Sequence, residues 1–428
     1  MKRSLVFLTG VALLLSVSAS ATVRVSKYAI SIDEPVTAEN TAKALADCKS
    51  KGGNNPSITL SQCDDAGLAA AAKTFASATK LTIQRSPNLK SLEPLKTLPL
   101  TSLSLKNLPQ VTDLSPVGAI KTLTQLTIDQ VKFANADLSF CAGLAHLRNF
   151  SLANFPASLK TISGIDKCAQ IMQLSISHNA GPLDLSPLAN FTKLRTIRLT
   201  YVNALDLNPI TKMPSLTDLS LYGSQNLDLS QLAACPKLRS IMIYATKGIK
   251  DYNDLAKIKT LEHVNAGLTP MNDLSWAPQL PKLKRLDLFA ETFTSFAPLA
   301  QCQKLENLTF WSMRCTVDAA QFAGGAAPLK KLSFAGTSVV NEAKLAALAK
   351  HGKLVSLNLD EVNKGKKAID ISFLASLPTV QELNIRKAVI TNMDVIAKLP
   401  NLKKITVDKN QKAQLEGKLQ KNVRISAY

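Results

Sequence analysis

The sequence predicts an α/β fold: a right-handed solenoid of about 15 short repeats whose strands pair in parallel into one concave sheet. Three observations predict it. Residues 185–228 divide after Asp206 into two units of about 22 residues that lie over each other, with Leu185, Pro187, Leu194, Ile197 and Leu199 returning as Leu207, Pro209, Leu216, Leu219 and Leu221. A period of ~20–29 residues centred on L-x-x-L-x-L is the signature of a leucine-rich repeat. An L-x-L triplet recurs along most of the chain. An aspartate precedes the leucine that opens many units: Asp113, Asp137, Asp184, Asp206, Asp228, Asp254, Asp273, Asp370 and Asp394.

The predicted strand triplets are residues 81–83, 103–105, 126–128, 150–152, 174–176, 197–199, 219–221 and 241–243. They continue at 264–266, 286–288, 308–310, 332–334, 357–359, 383–385 and 405–407. Alternation sends both apolar residues of a triplet inward and the middle one outward. Each connection then crosses back right-handedly. Asn or Ser followed by Pro, as in Ser115-Pro116, Ser186-Pro187 and Asn208-Pro209, starts the convex side of a unit, because these residues cap and open helical turns. The aspartates recur at one repeat position, which assigns them to the scaffold and not to acid chemistry. Residues 341–350 have room for a fuller helix. The unit from Leu255 to Asp273 is short and irregular, and a local change of curvature is expected there.

The ends differ from the repeats. Lys2 and Arg3, an apolar run over 5–17 and Ala19-Ser20-Ala21 form a signal peptide over 1–21, with cleavage after Ala21. The run is shorter than the ~20 residues that span a bilayer, so the expectation is an exported chain, periplasmic or secreted, with no transmembrane anchor. Residues 22–65 do not fit the repeat and read as an N-terminal cap. Cys48 and Cys63 flank the loop in this cap and are expected to form a disulfide, as nearby cysteines of exported proteins do. The solenoid covers 66–408. Residues 409–428 read as a C-terminal cap made of a short helix and an edge strand at 423–425.

Composition limits the chemistry. The formal charge of +20 favours anionic surfaces. His146, His178, His263 and His351 stand outside any H-E-x-x-H or C-x-x-C pattern, so no metal site is expected. There is no G-x-S-x-G elbow and no phosphate-cradling glycine loop. No cofactor is implied, and the chain reads as no enzyme. Cys168, Cys235 and Cys302 recur every third repeat, about 14 Å apart at the strand spacing. That is too far for a disulfide, which needs Cα atoms within about 7 Å, so they read as buried free thiols. Cys141 and Cys315 remain unassigned, with Cys302–Cys315 a further pairing.

The concave face carries the functional signal. Three residues after the first inward apolar residue, successive units hold Tyr222, Tyr244, Gly267, Phe289 and Trp311. Four aromatic rings in one column, with a glycine between the second and third, form a candidate partner-binding site. Arg198, Asp218, Met242, His263, Arg285 and Asp287 stand beside it. Aromatic and arginine side chains with few lysines compose interface hot spots. Lateral stacking that seals the sheet edge is the structural alternative. A second candidate is a basic patch of Lys364, Lys366, Lys367, Lys403 and Lys404, extended by Lys409, Lys412, Lys418 and Lys421. No base-stacking aromatics are interleaved with it, so nucleic acid is not expected.

At Asp184 to Leu199, D-L-S-P-L-A-N-F-T-K-L-R-T-I-R-L, the chain resembles the internalin-like bacterial leucine-rich-repeat proteins, over roughly 66–408. The resemblance implies a curved solenoid that binds a partner, often a protein of another organism, on its concave face. The asparagine expected five residues after the first strand leucine occurs at Asn179, but Val131, Val202, Ser224 and Ala388 stand there in other units. No wall-anchoring motif closes the chain. The sequence thus predicts a monomeric, non-catalytic recognition protein with a protein ligand from a host or the cell envelope. The alternative is a carbohydrate-binding module for an acidic glycan or envelope polymer.

Overall fold

The computed structural model describes residues 22–134, 137–178, 183–202, 206–225, 227–339 and 342–428. The predicted signal peptide and Asn179 lie outside them. The chain forms two compact units, one ending at Leu123 and one beginning at Thr124.

The first unit opens with an antiparallel pair, β1 (Val23–Val25) and β2 (Ala29–Ile32). A parallel ladder then runs from β2 through β3 (Ser57–Ser61) and β4 (Lys80–Gln84) to β5 (Ser102–Leu108). Parallel pairing therefore extends well N-terminal of residue 66. Helix α1 (Ala38–Ser50) starts from a capping box in which Thr37 accepts from the Asn40 N–H and Asn40 returns the contact to the Thr37 N–H. Helix α2 (Asp65–Thr74) packs beside it, capped by Asp64. Cys48 at the end of α1 and Cys63 after β3 are separate buried thiols, not the expected disulfide. The Cys63 thiol is directed to the Asp64 carbonyl, 3.4 Å away. Burial, reinforced by Asp64 and Asp65, pushes it up to about 12, so little nucleophilic thiolate forms there. A short α3 (Ser115–Gly118) closes this unit.

In the second unit every predicted triplet falls on a parallel strand. These are β6 (Gln125–Val131), β7 (Asn149–Ala153), β8 (Gln173–Ser177), β9 (Thr196–Thr200), β10 (Asp218–Tyr222) and β11 (Ser240–Tyr244). They continue as β12 (His263–Gly267), β13 (Arg285–Phe289), β14 (Asn307–Trp311), β15 (Lys331–Ser333) and β16 (Ser356–Asn358). Phe334, Leu359 and Ile385 fall one residue beyond their shortened strands. β17 (Ile369–Asp370) pairs with β19 (Ile390–Thr391) in a separate small sheet. The main ladder passes from β16 to β18 (Glu382–Asn384), β20 (Lys404–Val407) and β21 (Arg424–Ala427). The irregular unit keeps register, with His263 opposite both Ser240 and Arg285.

Both apolar residues of each triplet are buried, as with Leu219 and Leu221 or Ile241 and Ile243. Burying each such side chain contributes about 1.5–3 kcal/mol. The returning side is built mostly from 3₁₀ turns. Even Glu342–His351, expected as a fuller helix, is 3₁₀. Two short α-turns interrupt this pattern, α4 (Asn208–Thr211) and, at the C-terminal end, α5 (Lys409–Leu415). Helix α5 has a capping box between Asp408 and Gln411, and Gln411 Nε2 donates to the Ile385 and Ala388 carbonyls. Beside α5, the main ladder ends in β21, which pairs in parallel with β20.

The recurring aspartates do the capping that was expected of the following Ser or Asn. Asp113, Asp184 and Asp370 accept the N–H two residues on at 2.8 Å, and Asp137, Asp206 and Asp273 at 3.0 Å. Two of the predicted set act otherwise. Asp254 is buried and pairs with Lys257 at 2.6 Å, while Asp251 makes the turn in its place. Asp394 pairs with Lys418 at 3.2 Å.

Candidate functional site

Each strand of the site ends at one corner. The residue after the strand adopts the left-handed conformation, at φ 53° in Tyr201, 63° in Gly223, 52° in Ala245, 53° in Leu268 and 51° in Ala290. For a non-glycine residue this costs about 1–2 kcal/mol. The cost is offset because the corner N–H reaches the carbonyl of the next strand's last residue. Tyr201 and Gly223 donate to Tyr222 and Tyr244 at 2.7 Å, and Ala245 donates to Gly267 at 2.8 Å. Leu268 and Ala290 donate to Phe289 and Trp311 at 3.0 Å. The corners fix the strand ends, and the strand ends carry the rings.

The predicted aromatic column is present and continuous. Tyr222 stacks on Tyr244 with centroids 5.0 Å apart and planes 14° apart. Tyr244 stacks on Phe289 at 5.4 Å, and Phe289 meets Trp311 edge-on at 4.7 Å. Gly267, which interrupts the column in sequence, is what joins it. A Cβ there would lie 2.8 Å from Phe289 Cβ and 3.0 Å from Tyr244 Cδ2, so the missing side chain leaves room for the two rings to meet.

The column is longer than the sequence reading found. Tyr201 packs edge-on against Tyr222 at 5.3 Å, and His178 lies 4.9 Å from Tyr201. Both occupy the left-handed corner, one residue past the column that alternation marks. The available signal was Gly223 at the corner of the next repeat, where a Cβ would meet the Tyr201 ring at 2.4 Å. A hydrogen bond with Tyr201 raises the Tyr222 phenol above its ordinary value, and burial raises that of Tyr244. Both therefore stay neutral near pH 7.

Along the ladder strands β9 to β14 the strand centres are Arg198, Ser220, Met242, Asn265, Asp287 and Thr309. Arg198 is exposed, and Met242 is 38% exposed. Asp218 is exposed and accepts from Thr217 Oγ1 at 2.6 Å. Asp287 is different, being 8% exposed. Its Oδ2 lies 2.8 Å from His263 Nε2 and 2.7 Å from Arg285 Nε. Burial raises its carboxyl, but His263, Arg285 and Thr309 together outweigh that and hold it below the usual range. Asp287 thus anchors its two neighbours from beneath.

The basic patch is not brought together. Lys364, Lys366 and Lys367 follow the C-terminal end of β16, while Lys403 and Lys404 stand at the start of β20. The thiols of Cys168, Cys235 and Cys302 are free and buried, as the sequence predicts. Cys315 is also free, its sulfur 3.4 Å from the Phe293 N–H. Cys168 Sγ lies 3.1 Å from the Cys141 carbonyl.

A ladder of short parallel strands whose ends carry stacked rings defines a leucine-rich-repeat protein with a built aromatic edge. No family model matches the chain, and no curated protein matches it in sequence. Solved structures do. A leucine-rich-repeat protein of Leptospira interrogans is 17% identical over 87% of this chain and 100% of its own, with a TM-score of 0.59. TLR13, in a complex with ssRNA13, is 16% identical over 86% of this chain and 61% of its own, at 0.60. The internalin InlF of Listeria monocytogenes is 21% identical over 78% of this chain and 88% of its own, at 0.47. The likeness to the Leptospira protein and to TLR13 establishes the leucine-rich-repeat fold. Among the described residues, no helix is long and apolar enough to cross a membrane.

Proposed function

We propose that this is an exported, non-catalytic recognition protein that binds a protein partner on the open face of its second unit. The observation that carries the proposal is the continuous ring ladder from His178 to Trp311. Its rings remain accessible toward both ends, His178 being exposed, Tyr201 44% and Trp311 56% exposed, and Met242 is exposed beside it. Interfaces concentrate aromatic, methionine and arginine side chains at their centres, and here the fold holds them rigid in advance, which lowers the ordering cost of binding.

The same stacking weighs against the sugar-binding alternative at this site. A sugar that packs on an aromatic residue needs an open ring face. The facing sides of Tyr222, Tyr244 and Phe289 cover one another, leaving edges and phenol hydroxyls, which suit a protein surface better.

The test is a crosslinked pull-down with the full mature chain from envelope and host-cell extracts. The comparison is a variant with Tyr201→Ala and Trp311→Ala, chosen because both side chains are exposed. A partner captured by the wild type and lost by the folded variant supports the reading. Equal capture by both overturns the site.

A further inference from the structure

The two ends of the strands in the second unit have opposite chemistry. Rings gather where the strands end, and cations gather where they begin. Lys282, Lys304 and Lys353 each stand four residues before the first inward apolar residue of β13, β14 and β16, namely Leu286, Leu308 and Leu357. Lys331 and Lys404 open β15 and β20, and Lys403 precedes the latter. All six are exposed. None is paired with a carboxylate among the described residues. The acidic residues of this edge neutralise them only in part, the Glu262 carboxyl being lowered first by its bond to Lys284 and also by Arg239 and Lys282. Glu306 is engaged by Lys330 at 2.8 Å, and Glu262 by Lys284 at 2.9 Å. Glu382, opposite Lys404, remains.

Five of the six consecutive ladder strands β13, β14, β15, β16, β18 and β20 carry these lysines, and β18 opens with Glu382 in their place. At about 4.8 Å per strand the cations form a track of about 24 Å. A groove of about 380 Å³ lies on it, bounded by Lys330, Lys353, Val355, Thr379, Gln381 and Asn401. Thr379 Oγ1 already donates to the Leu354 carbonyl at 2.7 Å and Asn401 Nδ2 to the Pro378 carbonyl at 2.9 Å, so beside the lysines the groove offers a ligand the Gln381 amide, the second Asn401 N–H and the Thr379 and Asn401 oxygens as acceptors.

We propose that this edge is a second binding surface, whose ligand is a linear acidic polysaccharide lying along the lysine track with a sugar seated in the groove. A repeated anion matches a repeated cation, and hydroxyl-rich sugars match Thr379, Gln381 and Asn401. Single-stranded nucleic acid fits less well, because its bases seek aromatic platforms and the ring ladder lies at the opposite ends of the strands. The surface is distinct from the ladder, so it stands or falls separately from the protein-recognition reading.

The test measures binding of the full mature chain to polygalacturonate, with neutral dextran, oligothymidylate and phosphatidylglycerol vesicles as comparisons. Substituting the six track lysines by glutamine is expected to raise the dissociation constant at least about tenfold and to flatten its salt dependence, as loss of released counterions requires. A charge-matched variant, with Lys364, Lys366, Lys367, Lys409, Lys412 and Lys421 changed to glutamine, is expected to bind as the wild type does. Gln381→Ala with Asn401→Ala should weaken polygalacturonate binding while leaving the salt slope unchanged. Equal losses in the two lysine variants would overturn the track. So would absence of polygalacturonate binding, or tighter binding to oligothymidylate or vesicles. Trp311→Ala is expected to leave polygalacturonate binding intact.

Discussion

Tyr244 and Phe289 stack at 5.4 Å although Gly267 stands between them in the sheet. The contact exists because the intervening strand ends without a side chain. Gly267→Ala should therefore act on the ladder. Its Cβ would lie 2.8 Å from Phe289 Cβ and 3.0 Å from the Phe289 carbonyl oxygen, which cannot move without disturbing the strand. Overpacking of this kind costs about 1–3 kcal/mol. Thermal denaturation should show that loss, and near-ultraviolet circular dichroism should show a changed tyrosine environment. An unaltered melting temperature and spectrum would mean that the rings do not depend on this gap.

Asp287 ties His263 and Arg285 together beneath the open face. Asp287→Ala removes the shared acceptor and leaves two donor side chains without it. The expected cost is about 1–3 kcal/mol of stability, with weaker capture of the protein partner because His263 and Arg285 lose their fixed positions. Urea denaturation and the pull-down measure the two effects. Full stability together with full capture would remove Asp287 from the site's support.

Much of this was legible in the sequence, for a physical reason. Alternation with period two places the inward apolar residues, so the main-ladder strands from β4 to β20 and the aromatic column followed from spacing alone, while the small β17–β19 sheet did not. What spacing cannot show is how side chains lean. Tyr201 and His178 joined the ladder from left-handed corners, and Gly267 proved to be a junction. The aspartate turns were read correctly as scaffold, but Asp251 displaced Asp254 because capping depends on a local turn and not on the repeat frame. Cys48 and Cys63 illustrate a different limit: proximity in sequence and an export signal suggest pairing, yet each thiol is packed in its own buried contact. The lysines of the basic patch are close in sequence order, but Lys364, Lys366 and Lys367 follow β16 whereas Lys403 and Lys404 stand at the start of β20.

Glu291 is a carboxyl only 1% exposed, and its Oε1 accepts from the Thr269 N–H at 2.7 Å and the Thr269 hydroxyl at 2.8 Å. Burial raises it above the usual carboxylate value despite those bonds and the nearby Arg314. A carboxyl raised on folding favours the folded state when protonated and opposes it once ionised. Glu291→Gln keeps the acceptor and removes the charge. The variant should melt above the wild type near pH 7, and the gap should close as the pH falls and wild-type Glu291 takes up its proton. A gap that widens toward low pH would reverse the assignment.

The aspartate turns carry the opposite pH sign. The Ser115 and Ser186 N–H groups chiefly lower Asp113 and Asp184, the Ser275 hydroxyl lowers Asp273, and the Ser372 N–H lowers Asp370. Asp228 is held lowest, at about 2, by the Ser230 hydroxyl and then by Lys250. Groups lowered on folding stabilise the chain fully above their unfolded value, near pH 4, and lose that contribution as the pH falls through the folded one. The chain should therefore lose stability progressively between about pH 4 and pH 2. Asp228→Asn isolates one turn: its side-chain oxygen still accepts the Ser230 N–H, but it no longer holds the charge that Ser230 and Lys250 stabilise. Urea midpoints of the wild type and this variant should differ at pH 7 and converge toward pH 2. A difference that stays constant across that window would show that the turn's contribution is independent of its charge.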